Sequence, residues 1–193
     1  MSLTHSAQEA PDLALARAPG EAPIAVRPVR DEDALELIEL IGSCFGEYEN
    51  CVLDVDGEMP QLRRLASYAA ERDGAFWVCE LGPAGAHPAR LVGMGGFLPR
   101  PDELARVIEV HKLYVHRKAR AFGLGGRVLS LVEAEARRRE ADVLDLWSDT
   151  RFTTAHAFYE KRGFVRGPVT RELHDKSGSV EFYFRKELGR VPT

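Results

Sequence analysis

Residues 120–126 read Arg-Ala-Phe-Gly-Leu-Gly-Gly, three glycines in four positions behind an arginine. Glycine inside a regular element costs about 0.5–1 kcal/mol relative to alanine. Such a cluster implies a backbone that turns tightly or lets something approach closely. It follows "RVIEVHKLYV" (106–115), a β-branched and aromatic run that reads as a strand. It precedes "RVLSLVEAEARRREA" (127–141), in which Val128, Leu129, Leu131, Val132 and Ala136 make one apolar helical face. A strand-to-helix turn is an anion site, because unpaired N–H groups point outward and the helix dipole adds partial positive charge. Gly123, Gly125 and Gly126 take away the side chains that would hold a diphosphate off, and Arg120 and Arg127 could add full charge.

Two familiar phosphate loops do not fit. A P-loop ends in Gly-Lys-Ser/Thr, and here Gly126 is followed by Arg127 and Val128. A dinucleotide fingerprint needs a third glycine where Val128 stands. The glycines by themselves also leave an ordinary strand-to-helix turn open.

The elements that must position this turn are legible as alternation and helical spacing. "IAVRPV" (24–29) is a strand, and a helix follows with Asp31 as N-cap and Ala34, Leu37, Ile38 and Ile41 on its inner face. Residues 60–74 form a second helix, stopped by Gly74. Strands at 75–81 and 90–99 flank a Gly/Pro-rich loop at 82–89. After the glycine turn and its helix come a strand at 142–149, a helix at 153–163 ended by Gly163, and two strands, "FVRGPVTREL" and "SVEFYFRKEL". The order is β-α-α-β-β-β-α-β-α-β-β. The crossover from 106–115 to 142–149 implies a parallel pair. The rest reads as antiparallel meanders. The expected fold is α/β (α+β): a mixed, mostly antiparallel sheet with helices on both faces.

The 193 residues, 45% hydrophobic, suit a single domain. We expect a flexible tail at 1–22, with a short helical turn around Leu13 to Ala16 allowed, a domain at 23–189 and a C-terminal tail at 190–193. The net charge of -4 argues against nucleic acid as a partner but not against a local anion site. No apolar run reaches the ~20 residues of a membrane span, and the N-terminus lacks the pattern of a secretory signal. Cys44, Cys51 and Cys79 are too few and too irregularly spaced for a disulfide framework or a zinc site, and read as buried or half-buried thiols of a cytoplasmic protein. Asp54-x-Asp56-x-Glu58 lacks the remaining spacing of a calcium loop, so no metal is expected.

Arg120-x-x-Gly123-x-Gly125, directly after "LYVHRKA", is followed at 155–164 by "AHAFYEKRGF". Together these resemble the GNAT superfamily of N-acetyltransferases, over roughly residues 24–188 and in element order. The resemblance implies acetyl-CoA as co-substrate. Its pyrophosphate would rest on the backbone N–H groups of Phe122, Gly123, Leu124, Gly125 and Gly126, with Arg120 and Ala121 shaping the loop and Arg127 beside it. The 106–115 strand would splay from 142–149, and the backbone of Leu113, Tyr114 and Val115 would border the pantetheine, with Leu113 N–H polarising the thioester carbonyl. Many members carry an asparagine where this chain has Phe152; Thr154 is a candidate replacement contact.

The implied chemistry is acyl transfer to an amine. An alkyl ammonium, with pKa about 10.4, must lose a proton before attack, and the departing thiolate must regain one. Tyr159 is the family's tyrosine near the sulfur and the candidate general acid. The plain alternative is a helix tyrosine bonded to a carbonyl. Glu109 stands where some members carry a base, and His111 shares its strand face as a second candidate. A strand glutamate paired with a basic neighbour, or relay through water, are the alternatives. The acceptor would lie between the first two helices, the 106–115 strand and the last strands. There Tyr48, Glu49 and Asp54 belong to an acidic loop that could attract a cationic amine or simply be solvated.

The expectation is direct transfer to a primary amine of a small molecule, amino acid or peptide, with no cysteine in the site to support a covalent route. A non-catalytic acyl-CoA-binding module and a transferase for a longer acyl-CoA are the rival functions. The family is often dimeric, and "SVEFYFRKEL" could offer a homodimer edge.

Overall fold

The computed structural model describes residues 24–82, 90–100, 102 and 105–189. The expected tails, and most of the expected loop at 82–89, lie outside these residues. Seven strands form one sheet: β1 Ile24–Pro28, β2 Ala75–Leu81, β3 Arg90–Arg100, β4 Val107–Val115, β5 Val143–Asp149, β6 Val165–Glu172 and β7 Val180–Glu187. Their spatial order is β1-β2-β3-β4-β5-β7-β6. Every neighbouring pair is antiparallel except β4 and β5, which are parallel. This is the mixed, mostly antiparallel sheet expected from the element order.

Two helices cover each face. On the first, α1 (Ala34–Phe45), the short α2 (Leu65–Ala70) and the turn before it bury Leu37, Leu40, Ile41, Leu62 and Leu65 against Phe76, Val78 and Met94. On the second, α3 (Leu124–Arg138) and α4 (Thr153–Lys161) bury Leu129, Val132, Ala136 and Tyr159 against Phe97, Ile108, Leu144 and Phe184. Side chains alternate across the strands, so each strand feeds both layers. Fully burying one such leucine or phenylalanine is worth about 1.5–3 kcal/mol. The two layers thus fix the sheet from both sides and leave its central crossover to carry the site.

Four details depart from the sequence reading. Residues 60–64 wind as a tighter 3-10 turn before α2, which shortens the expected second helix. Asp31 does not cap α1. Its carboxylate accepts from the backbone N–H and hydroxyl of Ser67, tying the start of α1 to α2. Asp33 instead holds the α1 entry, taking the Arg30 N–H at 2.8 Å and both Arg27 nitrogens. Finally, "SVEFYFRKEL" is no sheet edge: β7 lies between β5 and β6, and the edges are β1 and β6. Its antiparallel pairing with β5, from Val143–Glu187 to Asp149–Glu181, occupies the side on which a dimer would have paired.

Candidate functional site

The parallel pair opens after three residues. Val107, Ile108 and Glu109 lie opposite Val143, Leu144 and Asp145, and no pairing continues although both strands do. On its other side β4 carries a bulge. Gly96 faces His111 and Met94 faces Tyr114, so Lys112 and Leu113 together oppose Gly95. Lys112 takes φ 54°, left-handed backbone that a lysine rarely adopts. Bulge and splay together leave a cleft of about 420 Å³ between β4, β5 and the starts of α3 and α4.

At one end of the cleft stands the glycine turn. Residues 117–122 form a 3-10 turn, and Gly123, at φ 69°, ends it and begins α3 at Leu124. The helix therefore starts three residues before the expected Arg127, with Gly125 and Gly126 in its first turn. A β-carbon on Gly125 would sit 3.5 Å from Phe158 and 3.7 Å from Val115, ordinary contacts, so the fold itself does not demand glycine there. What the absent side chain leaves is open cleft. A β-carbon on Gly126 would fall on the Arg162 guanidinium. That guanidinium, stacked over the Phe158 ring, lines the cleft and has no carboxylate partner among the described residues.

The expected cofactor contacts divide. Leu113, Tyr114, Val115, Arg120, Gly123, Gly125, Gly126 and Thr154 line the cleft. Ala121, Phe122, Leu124 and Arg127 do not; Leu124 is core, and Phe122 packs beside Ile24 and Val92. Two roles stand open for Arg120, adding charge for a phosphate and shaping the loop. Its guanidinium forks onto Glu47 at 2.6 and 2.9 Å, and its Nε donates to the Val115 carbonyl, the geometry of the second role. It braces the turn against strand and α1. Arg162, which the sequence reading passed over in "YEKRGF", is the cation that faces α3's first turn.

Of the three catalytic candidates, Tyr159 lines the cleft and Glu109 and His111 stand back from it. The Tyr159 ring is wedged among Phe158, Phe164 and Phe184. No group among the described residues bonds its hydroxyl, so the alternative of a tyrosine tied to a carbonyl does not hold. Burial pushes its pKa up, keeping the proton on oxygen. Glu109 and His111 do share a face, 3.4 Å apart. Burial, then the charge of neighbouring Asp145, holds the Glu109 carboxyl above its usual range. Burial, with Lys112 and Arg171 nearby, lowers His111 to about 4.

One expectation is overturned by packing. Cys44 lines the cleft, because α1 crosses β4 and sets the Cys44 thiol 3.7 Å from the Val115 carbonyl. Burial raises this thiol's pKa, which disfavours the thiolate a covalent route requires.

The far end of the cleft is walled by side chains from distant elements. Tyr48 packs on Phe152 with ring centroids 4.8 Å apart, an aromatic wall. Glu49 is exposed and outside the cleft. Asp54 is turned away, paired with Lys176 at 2.6 Å and accepting the Gly57 N–H. The acidic loop is thus tied to the β6–β7 turn through Asp54 and Glu58, while Glu49 and Asp56 stay exposed. Val52 N–H donates to Ser177 Oγ, Lys176 N–H donates to Glu58, and Arg151 reaches the Asn50 carbonyl. Among the described residues no cluster of three or more His, Cys, Asp or Glu is placed to hold a metal, and no helix is long and apolar enough to cross a membrane.

A family model for GNAT acetyltransferases matches residues 35–164, from α1 through α4. The chain belongs to the GNAT acetyltransferase family. The match contains the splayed strands, the glycine turn and Tyr159. A probable N-acetyltransferase of Mycobacterium tuberculosis, Rv2775, is 29% identical over 122 residues, 63% of this chain and 66% of that protein. The chain thus aligns with slightly less than two thirds of that relative. Among solved structures, a GNAT-family acetyltransferase of Staphylococcus aureus Mu50 superposes with TM-score 0.69 at 20% identity, covering 86% of this chain and 99% of that one. Salmonella typhimurium yncA, a putative acetyltransferase solved with its cofactor acetyl-CoA, superposes with TM-score 0.62 at 16% identity, covering 88% and 96%. At these identities the two structures establish the GNAT fold.

Proposed function

We propose that this GNAT protein moves an acetyl group from acetyl-CoA directly to a primary amine of a small molecule, amino acid or peptide. The observation that carries the reading is the opening of β4 from β5 beside the first turn of α3, with the Tyr159 hydroxyl at the same cleft. The residues present fit a CoA thioester. Gly125 and Gly126 leave the space a diphosphate needs, the α3 N–H groups face it, and Arg162 adds a full charge. The unpaired stretch of β4 past Glu109 offers backbone to an extended pantetheine arm. Acetyl-CoA supplies an activated acyl group on a thiol leaving group.

The chain's own groups handle position and protons. Leu113 lies in the bulge, out of the ladder with β3, and its N–H is the candidate donor to the thioester carbonyl. Tyr159, held neutral by burial, is the proton donor to the leaving sulfur. Glu109, its carboxyl raised by burial, is the candidate acceptor of the amine's proton. Because it stands behind the cleft wall, that transfer runs through water. The raised thiol pKa of Cys44 favours direct transfer over a covalent enzyme intermediate.

The test is thiol release from acetyl-CoA across a panel of primary amines, with product identified by mass. Amine-dependent release with an N-acetylated product is the expected result. Stabilisation by acetyl-CoA with no release for any amine would make the protein a binding module. Faster release from succinyl-CoA would reassign the donor.

A further inference from the structure

Among the described residues, most cations in and around the cleft are matched by carboxylates; Arg162, at the α3 end, and Lys112 are not. Arg120 pairs with Glu47, Arg151 with Asp149, Arg171 with Glu181, Lys176 with Asp54 and Arg100 with Asp145. Lys112 has no carboxylate partner among the described residues. Its Nζ lies 3.6 Å from the Met59 sulfur, a weak acceptor that neutralises nothing. The residue is half-buried, yet its amine end is enclosed by protein, and the loss of water lowers it to about 8. Below that value the ammonium is uncompensated, on a residue that lines the cleft. Enclosing an unpaired charge is costly, and an anionic ligand would offset the cost. The backbone adds to the cost, since the bulge holds Lys112 at φ 54°.

We propose that Lys112 is a subsite for the carboxylate of the acceptor, so that the enzyme acetylates amines of the amino-acid class rather than simple alkylamines. The inference rests on the acetyltransferase reading of this cleft and names its substrate class. A monoanion matches one ammonium. A phosphate dianion would call for more donors and would meet Glu181, which lines the same cleft. That glutamate, although paired with Arg171, also places a carboxylate near the acceptor's ammonium.

The experiment compares matched pairs by thiol release with acetyl-CoA: L-phenylalanine against phenethylamine, L-leucine against isoamylamine, β-alanine against ethylamine. At least one carboxylate-bearing member is expected to turn over with kcat/KM about tenfold or more above its partner. In Lys112→Met that advantage disappears through KM, while acetyl-CoA still raises Tm. Lys112→Arg keeps part of it. Should Lys112→Met not fold, Lys112→Asn serves, since asparagine tolerates positive φ. Equal turnover within pairs, preference for the simple amine, or an advantage that survives in the neutral variant would overturn the proposal. So would absence of turnover for every amino acid in protein that acetyl-CoA stabilises. Absence of any stabilisation by acetyl-CoA would overturn the acetyltransferase reading itself.

Discussion

At the α3 end of the cleft, the groups that face the opening are mostly backbone: the N–H groups after Gly123 and the unpaired stretch of β4 beyond Glu109. At the other end they are side chains from four separate elements: Tyr48, Lys112, Phe152 and Glu181. A backbone site needs only small residues at the right spacing, so one short segment encodes it. A side-chain site needs residues that meet only once the sheet is assembled. The first arrangement suits a ligand common to a whole family, and the second suits one that varies from member to member.

If this division is real, variants at the two ends should fail differently. The largest effect is expected at the junction. Tyr159→Phe keeps the ring among Phe158, Phe164 and Phe184 but removes the proton donor. Turnover should fall about a hundredfold or more with acetyl-CoA binding nearly unchanged. Steady-state kinetics beside a binding titration would show it, and an equal loss in both would break the assignment. Next in size, Arg162→Ala should weaken acetyl-CoA about tenfold by removing the free cation at α3, leaving acceptor KM alone. Calorimetric titration reads the first change and initial rates the second.

Glu109→Gln should lower kcat severalfold and flatten the acid limb of its pH profile, because the group acts from behind the cleft wall. No change at any pH would remove Glu109 from the mechanism. The last effect concerns stability rather than binding or turnover. His111 sits at about 4 in the fold against 6.5 as its ordinary value. Between those values the unfolded chain binds the extra proton, so stability falls as pH falls through that window. His111→Gln should remove about 2 kcal/mol of the loss between pH 7 and 4.5, read by urea melts at both values.

The same division governs what could be read from the chain. Element order, the parallel crossover and the glycine turn follow from alternation, helical spacing and local turn chemistry. The start of α3 at Leu124 was obscured because Gly125 and Gly126 are poor helix formers, and it is Gly123's left-handed backbone that sets the boundary. The bulge at Lys112 had no local signal, since neither glycine nor asparagine marks it. Cys44 enters the cleft only because α1 crosses β4, and β7 becomes an interior strand only because it pairs with β5. Arg162 was visible in sequence beside Gly163, but nothing local tied it to Gly126. Apart from the α3 start, these depend on contacts between segments far apart in the chain.

The most direct test of the central claim is acetyl-CoA binding to the parent and to Gly125→Asp, followed by thermal shift. The position has room for a β-carbon, so the unliganded variant should melt near the parent, while its carboxylate would occupy the space facing α3's N–H groups. At about 100 times Kd, acetyl-CoA should stabilise the parent by about 2.7 kcal/mol and leave the folded variant unmoved. Equal shifts in both proteins, or no shift in the parent, would contradict a pyrophosphate site at this turn.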